Sequence, residues 1–410
     1  MSILIESNSH TPVIIDCLRT PIGRYGGALK DVRPDDLAAH VIASVIERNP
    51  FDTSAIDEVI FGCANQAGED NRNIARMASL LAGIPQNVPG ITVNRLCASS
   101  LSAIIQAAYQ IRCGEADIII AGGVESMSRA PYSIPKSVSS GVDFGNLTAY
   151  DTALGWRYPN PKMKAMFPLE SMGETAENLV ERYKISREAQ DEFAYESHKR
   201  AIAAQDTQAF ADEIFPVSIP QRKGDPVIVD TDEQPRRDTS LDKLGKLKPA
   251  FRKDGSVTAG NSSSLNDGAA ACIVMSMEKA VALGLKPMAK ILSSGTSGVD
   301  PRVMGIGPVD ASKLALKRAG LQMSDIDRIE LNEAFAAQSL AVIEELKIDR
   351  SRLNIKGGAI ALGHPLGCSG ARIATTLLHE LKASHTRFGL ATMCVGVGQG
   401  VATIFENMQL

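Results

Sequence analysis

The sequence has few aromatic residues, no long apolar run and no strong charge of one sign, and each absence excludes a class of protein. Phe, Trp and Tyr make up 5% of the 410 residues, and Trp156 is the single tryptophan. No run of about 18 apolar residues is present, so the sequence predicts no transmembrane helix. The net charge of −4 comes from 43 basic and 47 acidic residues without a block of like charge. This distribution argues against a nucleic-acid partner or an anionic membrane surface.

The seven cysteines and six histidines also lack the spacing of structural sites. No two cysteines are spaced as C-x-x-C, and their number is odd, so we expect neither a disulfide framework nor a bound metal. The N-terminus has no basic segment followed by an apolar one, and the C-terminus ENMQL has no Ser-Lys-Leu ending. By elimination we expect a cytoplasmic protein.

What the sequence does contain is a regular alternation of short apolar strands and amphipathic helices. Residues 34–49 form one such helix, with acids in its first turn and apolar residues at helical spacing, namely Leu37, Val41, Ile42, Val45 and Ile46. Residues 56–64 and 117–123 have the composition of buried strands. This alternation predicts an α/β fold with a mostly parallel sheet.

The composition changes between residues 126 and 261, where Pro, Ser, Lys and Asp become frequent and one strong helix is predicted over 185–205. We interpret this segment as a loop domain inserted into a rigid α/β core. The predicted domains are therefore an N-terminal half of residues 1–125 plus 262–287, the loop domain of residues 126–261, and a C-terminal half of residues 288–410.

An internal repeat relates the two predicted halves. Residues 54–59, SAIDEV, align with residues 324–329, SDIDRI, at an offset of 270. The same offset places Cys97 on Gly367 and the strand at 118–123 on residues 388–393. One offset across three segments indicates a duplicated unit, although α/β units share many features by chance. Ligands in such folds bind where strand ends meet.

Cys97 is the first candidate for chemistry, in the segment VNRLCASSLSAIIQAAYQ. It follows a strand-like run and precedes a buried helix marked by Leu101, Ile104, Ile105, Ala108 and Ile111. The N–H groups and the positive end of the helix are expected to lower the pKa of the thiol and raise its thiolate fraction. The alternative is an inert buried cysteine, which is the usual fate of a free cysteine.

His364 is the second candidate, in the glycine-rich segment GGAIALGHPLGCSGAR. Glycines allow the backbone to approach a ligand, and Pro365 fixes the turn, so this histidine is expected to be held in a defined orientation. A phosphate-binding loop would need a lysine that is missing here. A loop histidine without a role is the alternative.

Two strand ends carry the remaining candidates. Cys394 ends a strand and opens the turn VGVGQG, in which the N–H of Gly396 and its neighbours could form an oxyanion hole. Asn332 follows the strand IDRIEL and faces the usual ligand side of an α/β sheet. Spacing alone favours a different role for Asn332, as the N-cap of the next helix. Together, two cysteines and a histidine at such positions suit acyl transfer through a thioester.

These residues lie in motifs that resemble the thiolase family over essentially the whole chain. The matching segments are RTPIGRYGGAL, NRLCASS, AGGVESMSRAPY, MGETAEN, VTAGNSSSLNDGAAA, VMGIGPV, LNEAFAAQ, GGAIALGHPLGCSGAR and CVGVGQG. The resemblance implies a thiolase fold of two similar βαβαβαββ halves, packed as a layered α/β/α/β/α core with an inserted loop domain. It also implies a homotetramer (a dimer of dimers) acting on acyl-CoA, with coenzyme A as co-substrate and no covalently bound cofactor.

The resemblance further implies the role of each site residue. Cys97 would take the acyl group after His364 removes its proton. His364 and a water held by Asn332 would bind the thioester oxygen, and Cys394 would move the proton at the substrate α-carbon. The N–H groups of Cys97 and Gly396 would form a second oxyanion hole. The residues expected to contact substrate or CoA are Ser171, Met172, Ser263, Met304, Ala334 and Phe335.

The motifs also indicate which branch of the family the chain is most similar to. The segments GCANQAGEDNRNIARM, DTALGWRYPNP and TMCVGVGQG are most similar to thiolases that cleave 3-oxoadipyl-CoA in aromatic degradation. Those usually have Gly at the position of Ser100 and Pro at the position of Gly173. An acetoacetyl-CoA thiolase that condenses two acetyl-CoA molecules is the alternative, although that branch usually has His where Ser171 stands. A non-catalytic binding subunit is disfavoured because all four catalytic positions are present.

Three basic residues in the loop domain, Arg157, Lys162 and Lys164, suggest a further hypothesis. One of them could bind a carboxylate of the substrate or a phosphate of CoA. A solvated surface is the interpretation that we favour for this segment.

Overall fold

The structure is a computed structural model that describes residues 9–136 and 145–410. Residues 1–8 of the predicted N-terminal half and residues 137–144 of the predicted loop domain lie outside the described residues. Within the described ranges, no helix combines the length and the apolar character that crossing a bilayer requires.

The first part of the chain alternates strands and helices as the sequence predicts. Its elements are, in order, β1 Pro12–Arg19, β2 Gly23–Arg24, α1 Pro34–Arg48, β3 Glu58–Gly62, α2 Ile74–Leu81, β4 Gly90–Val93, α3 Ser99–Arg112 and β5 Ile118–Ser126. Pro34 stands in the first turn of α1, two acids follow it, and Arg48 lies in the last turn, so the charges complement the helix dipole.

The described part of the insertion that follows β5 contains four helices, and its strands are short. Its elements are β6 Tyr132–Ser133, β7 Tyr150–Asp151, α4 Pro161–Met166, α5 Met172–Tyr183, α6 Arg187–Asp206, β8 Val217–Ile219, β9 Val227–Val229 and α7 Leu241–Gly245. The long helix α6 begins directly after its capping residue Ser186, whose side chain accepts the N–H of Ala189.

The rest of the chain returns to the α/β alternation. Its elements are β10 Asn266–Ser276, α8 Met277–Ala282, β11 Ala289–Gly298, α9 Gly307–Ala319, β12 Arg328–Leu331, α10 Ala336–Leu346, α11 Ala359–Leu362, α12 Leu366–Ala383, β13 Phe388–Val395 and β14 Gln399–Asn407. Short 3-10 helices cover Thr53–Ala55, Pro301–Ile306, Met323–Asp325 and Arg350–Arg352.

The main sheet is mixed, so the expectation of a mostly parallel sheet is wrong. Its strands follow the order β12-β13-β14-β11-β1-β10-β5-β3-β4, and β2 pairs with β10. Only β3 with β4, β3 with β5, and β12 with β13 run parallel among these pairs. In each half the first strand pairs antiparallel with the last one, β1 with β10 and β11 with β14. The alternation of strands and helices in the sequence does not reveal these antiparallel pairs.

Four strands of each half take matching places in the sheet, which agrees with the predicted thiolase fold class. Within the described ranges, the fifth strand of the N-terminal half, β4, is matched only by an isolated bridge between Ile329 and Leu353. The strands β3 and β12 begin at residues 58 and 328, and β5 and β13 begin at residues 118 and 388, so both pairs differ by 270. The halves join where β1 and β11 pair antiparallel through Val13 with Lys290 and Ile14 with Ala289. The domain boundaries predicted within residues 1–410 stay a prediction.

Three apolar clusters define the layers of the core. One covers the outer face of the N-terminal sheet beneath α1 and α2, and another covers the outer face of the C-terminal sheet beneath α9 and α10. The largest lies between the sheets and contains α3 and α12. The predicted apolar face of α3 is confirmed, because Leu101, Ile104, Ile105, Ala108 and Ile111 are all buried there. The order of layers is therefore α/β/α/β/α.

A buried ion cluster fastens the insertion to the N-terminal half. The guanidinium of Arg19 on β1 donates to Glu213 at 2.7 Å and to both carboxylate oxygens of Asp232 at 2.7 and 2.9 Å. Arg19 and Glu213 are completely buried. A charge in such a place is tolerated only because its partners are present.

Replacing Arg19 with Met should therefore destabilise the fold strongly, because Asp232 would remain buried without its cation and Glu213 would keep only one cation, Lys356, at 3.9 Å. Losing one partner of a buried pair costs about 3–5 kcal/mol. The matched control is Arg237→Met, which breaks an exposed pair with Asp206. Urea unfolding of the two variants should show a large shift of the midpoint for Arg19→Met and almost none for Arg237→Met. Equal shifts would contradict the assigned role of the cluster.

Candidate active site

Cys97 lies in the turn between β4 and α3, two residues ahead of the first helical residue. Leu96 before it has a φ of 47°, in the left-handed region that large side chains rarely adopt. Ser99 Oγ accepts the N–H of Arg95 at 2.9 Å and donates to the carbonyl of Leu96 at 2.6 Å. These bonds fix the strained backbone that presents the Cys97 thiol.

Protein atoms surround the Cys97 sulfur, although the residue as a whole is partly exposed to solvent. Burial raises the pKa of the thiol to about 11, and the N–H groups of Gly396 and of Cys97 itself oppose this rise. The expected lowering of this pKa by the helix end is therefore wrong, because the loss of hydration outweighs the backbone donors. The Cys97 thiol is therefore neutral at neutral pH.

Cys394 is next to this thiol, at the end of β13. It is buried, and the pKa of its thiol is raised well above the usual range, first by burial and then by the charge of Cys97. An apolar cluster surrounds it, formed by Met172, Ala176, Val180, Val257, Met304, Ala334 and Phe335. Four of the six residues expected to contact substrate or CoA, namely Met172, Met304, Ala334 and Phe335, therefore lie in one cluster with Cys394.

His364 occupies the loop between α11 and α12, and its tautomer follows from its contacts. Ser369 Oγ lies 2.6 Å from Nδ1 of His364 and 2.9 Å from the carbonyl oxygen of Pro365. Because the carbonyl can only accept, we assign the hydroxyl proton to that bond and a proton to Nδ1, which donates to Ser369. In the neutral imidazole, Nε2 is then a free base. Burial and the charge of Arg372 lower the pKa of His364 to about 3.

Asn332 meets His364 from the end of β12. Its Nδ2 lies 3.5 Å from Nε2 of His364, and its Oδ1 is buried without a hydrogen-bond partner in the described part of the chain. The interpretation of Asn332 as an N-cap is wrong, because α10 begins at Ala336 with Phe335 as its capping residue. The chain makes an extra turn after β12, which leaves the Asn332 side chain free for the site.

Ser263 lies at the end of the insertion, and Ser171 lies inside it, at the start of α5. The N–H of Ser263 donates to the carbonyl of Ala334 at 3.0 Å, so the segment before β10 runs beside the Asn332 turn. Ser171 is exposed and caps α5 in a capping box with Glu174. The capping box accounts for a serine at this position without any contact to a ligand. Contact between Ser171 and the substrate stays a prediction.

Two departures from the family pattern have structural explanations. Ser100 Oγ accepts the N–H of Ala371 at 2.8 Å, which links the first turns of α3 and α12. Gly173 lies against Phe251, because a Cβ built on the glycine would stand 2.1 Å from the Phe251 ring. A side chain at residue 173 would displace that ring, which meets Phe335 edge to face at 6.0 Å.

A small cavity of about 10 Å³, which has room for about one water molecule, lies between the insertion and the turn after β13. Its lining is mostly apolar and consists of Trp156, Met163, Phe167, Pro168, Leu169, Glu170, Met172, Thr175, Pro301 and Val397. None of the three basic residues of the insertion lines it. Arg157 donates to the carbonyl of Thr152, while Lys162 and Lys164 are exposed on α4. This placement favours a solvated surface for the three cations.

Several residues that shape the site were not singled out from sequence. Ser369 binds His364 Nδ1, and Asn266 Oδ1 accepts the backbone N–H of His364 at 3.0 Å. Buried Glu125 accepts the N–H of Gly367 at 2.8 Å, and burial raises its pKa to about 7. All lie inside the quoted motifs, but only the fold shows which of those polar residues contact the histidine loop.

Alkylation with iodoacetamide tests the thiol–imidazole pair. Cys113 is exposed and would compete for the reagent, so the experiment uses a Cys113→Ser background. Cys97 should be the first of the remaining six thiols to react, because the other five are buried. Its rate at pH 7 should fall about tenfold or more in His364→Asn, since the pKa of about 11 leaves little thiolate without a base.

Raising the pH should restore the rate of His364→Asn, because the thiolate fraction increases tenfold per pH unit below the thiol pKa. Peptide mapping by mass spectrometry identifies the labelled thiol. An unchanged rate in His364→Asn would exclude His364 as the base for Cys97.

Two family models match the chain in sequence. The thiolase N-terminal domain matches residues 12–278, and the thiolase C-terminal domain matches residues 285–407. The beta-ketoadipyl-CoA thiolase of Acinetobacter baylyi is 55% identical over 399 residues, which cover 96% of this chain and 99% of that protein. The 3-oxoadipyl-CoA/3-oxo-5,6-dehydrosuberyl-CoA thiolase of Escherichia coli is 54% identical over 398 residues, covering 96% and 99%.

A solved structure agrees with these sequence matches. The crystal structure of the Bacillus anthracis acetyl-CoA acetyltransferase superposes with a TM-score of 0.91 at 44% identity, covering 98% of this chain and 100% of that one. The family models together span nearly all of the described fold, including both halves and the site between them. The chain therefore belongs to the thiolase family and is an acyltransferase.

Proposed function

We propose that this thiolase cleaves 3-oxoadipyl-CoA with free CoA, through an acyl-Cys97 intermediate, into acetyl-CoA and a shortened acyl-CoA. Two neighbouring groups of residues support this proposal: the Gly396 N–H faces the Cys97 sulfur beside Cys394, and Asn332 Nδ2 lies 3.5 Å from Nε2 of His364. Cys394 shares an apolar cluster with Ala334 and Phe335, which follow Asn332 in the chain. The names of the relatives at 54–55% identity support the choice of substrate.

The first half-reaction begins with a proton transfer. Nε2 of His364 accepts the Cys97 proton, and the sulfur attacks the C3 carbonyl carbon of the substrate. The C2–C3 bond then breaks, which leaves the acyl group on Cys97 and expels the enolate of acetyl-CoA. Cys394 protonates C2 of that enolate and is left as a thiolate, while the Cys97 proton stays on His364. In the second half-reaction Cys394 regains a proton from the CoA thiol, and Cys97 leaves the acyl group and regains its proton from His364.

Charge on the substrate oxygens is stabilised by two sets of donors. The imidazole of His364 and a water bound to Asn332 hold the thioester oxygen, and the buried unpaired Oδ1 of Asn332 supports a water there. The N–H groups of Cys97 and Gly396 hold the oxygen of the acyl-enzyme, which the contact of both groups with the Cys97 sulfur supports. CoA then attacks the acyl-enzyme, and Cys394 takes the proton of its thiol.

The apolar residues around Cys394 form the proposed binding surface for the substrate. Met172, Met304, Ala334 and Phe335 would contact the acyl chain or the pantetheine arm, with Ser263 and Ser171 nearer the insertion. Coenzyme A enters as a co-substrate, and no covalently bound cofactor takes part. Ping-pong kinetics follow from the acyl-enzyme.

An acetoacetyl-CoA thiolase is the second candidate function. The solved Bacillus anthracis relative carries the name acetyl-CoA acetyltransferase, which supports this alternative. Its 44% identity is lower than the 55% of the beta-ketoadipyl-CoA thiolase, and Ser171 stands where the biosynthetic branch usually has His. We therefore prefer the cleavage of 3-oxoadipyl-CoA.

A thiolysis panel tests the choice of substrate. The panel contains 3-oxoadipyl-CoA, acetoacetyl-CoA and a medium-chain 3-ketoacyl-CoA, and Cys97→Ala serves as the blank because it lacks the nucleophile. We expect the highest kcat/KM for 3-oxoadipyl-CoA, measured as loss of the 3-ketoacyl-CoA absorbance. A preference for acetoacetyl-CoA would support the second candidate, and turnover of none of the three would refute thiolase activity for this chain.

We also propose a homotetramer built as a dimer of dimers. The strand β4 ends the sheet order, and its outer edge pairs with no other strand in the described part of the chain. Ile91 on this strand is 45% exposed, and Leu80 and Leu81 on α2 beside it are exposed as well. An open apolar edge of this kind is suited to pairing with a second copy.

Light scattering after gel filtration tests the assembly. The wild type should have about four times the chain mass of 43.7 kDa. Ile91→Lys should yield smaller species, because it places a charge on the pairing edge, whereas Ile228→Lys on the exposed strand β9 is the matched control. A monomeric wild type would contradict the proposal.

A further inference from the structure

Glu125, the next-to-last residue of β5, binds two other segments of the chain at once. Its side chain is buried, and its Oε2 accepts the N–H of Ala64 at 2.9 Å and the N–H of Gly367 at 2.8 Å. Its Oε1 accepts the N–H of Asn65 at 3.1 Å. One carboxylate therefore connects the turn after β3, in the N-terminal half, to the first turn of α12, in the C-terminal half.

No cation pairs with the Glu125 carboxylate in the part of the chain that the structure describes. Burial raises its pKa to about 7, and the three N–H groups oppose this rise. The ionisable side chains that interact with it are Cys63, Asp70, Cys97 and Cys368. A buried carboxylate without a cation is costly, which indicates a role that a neutral side chain would not fill.

A second set of hydrogen bonds extends the contact at Ala64 to the nucleophile. Asn94 Nδ2 donates to the carbonyl of Ala64 at 2.9 Å, and Asn94 Oδ1 accepts the N–H of Leu96 at 2.8 Å. Leu96 is the residue with the positive φ immediately before Cys97. The turn that Glu125 binds therefore supports the backbone that presents the Cys97 thiol.

The contact at Gly367 supports the histidine loop in the same way. Gly367 follows His364 by three residues, and a Cβ built on this glycine would stand 2.8 Å from Oε2 of Glu125. Ser369, which binds Nδ1 of His364, lies two residues further along the same helix. A displacement of Gly367 would therefore move the imidazole and its hydrogen-bond partner together.

We propose that Glu125 is a positioning residue, whose ionised carboxylate links the Cys97 turn to the His364 loop and fixes the separation of the two side chains. It acts through the backbone of both segments and touches no reacting atom. The inference rests on the proposed function, because it takes His364 as the base for Cys97. Protonation would replace one acceptor with a donor that faces a backbone N–H, so only the ionised form can accept from all three donors.

Alkylation of Cys97 with iodoacetamide tests this role without any substrate. The Cys113→Ser protein is the parent, and its rate is measured between about pH 5 and about pH 8. Neither Cys97 nor His364 ionises appreciably in this range, because their pKa values are about 11 and about 3. A change of the rate near pH 7 would therefore report a further group, and the pKa of Glu125 is about 7.

Two variants of Glu125 separate its charge from its reach. Glu125→Gln removes the titrating group and keeps the length of the side chain, whereas Glu125→Asp keeps the titrating group and shortens the side chain. Glu233→Gln is the matched control, because Glu233 also accepts two backbone N–H groups, from Arg24 at 2.9 Å and from Ala28 at 3.0 Å.

The rate of the parent should rise about tenfold as the pH passes through 7, because a misplacement of about 1 Å can cost a catalytic pair about a hundredfold in rate. Glu125→Gln should have a flat profile at the low rate that the parent shows in acid. Glu125→Asp should keep the rise but react more slowly than the parent. Glu233→Gln should match the parent at every pH.

Three outcomes would overturn the proposal. A parent rate that does not change near pH 7 would do so even if neither Glu125 variant folds. A rise that persists in Glu125→Gln would assign the titration to another group. A faster reaction of Glu125→Gln would show that Glu125 acts only through its charge, which, after burial, also raises the pKa of the Cys97 thiol.

The thiolysis panel reports on the proposed function separately. A parent protein that turns over none of the three substrates but keeps the rise of the alkylation rate near pH 7 would refute the proposed function and support the positioning role of Glu125. Turnover of 3-oxoadipyl-CoA without that rise would support the proposed function and refute the positioning role.

Discussion

The close contact between the N-terminal parts of α3 and α12 is the constraint on which the rest of the structure depends. These helices come from opposite halves, and Cys97 and His364 stand two residues ahead of their first residues. A Cβ on Gly370 of α12 would stand 2.4 Å from the N atom of Leu101 in α3. Glycine at this position permits the approach, which brings the segments of the proposed nucleophile and its proposed base to the same region.

The duplicated fold uses this contact asymmetrically. The offset of 270 places Gly367 where the other half has Cys97, so each half offers a helix start at the centre of the molecule. Around Gly367 the carboxylate of Glu125 accepts the N–H groups of Gly367, Ala64 and Asn65 at 2.8–3.1 Å. One helix start is thus filled by a buried carboxylate of the protein, whereas the other carries the Cys97 thiol. The proposed catalysis therefore uses one copy of the repeat.

Burial keeps the ionisable groups of the site neutral until a substrate is present. The pKa of the Cys97 thiol is raised to about 11, and that of His364 is lowered to about 3, so the resting pair carries no charge at neutral pH. Charge then develops only during the reaction, where the N–H of Gly396 and the Asn332–His364 pair are already in place to stabilise it. Hydrogen bonds to Ser369 and Asn266 hold His364 in one orientation. A mobile imidazole would not be in place to stabilise the developing charge.

The sequence by itself determined the family, the duplicated fold class and the strand-end or helix-start position of each catalytic candidate, because periodicity and motifs are local. Only the tertiary structure decided three points that local patterns misjudged: the mixed direction of the sheet, the role of Asn332 and the raised pKa of Cys97. Strand direction depends on how the halves close, and the turn after β12 frees Asn332 from capping. The pKa depends on hydration, which is a property of the assembled core.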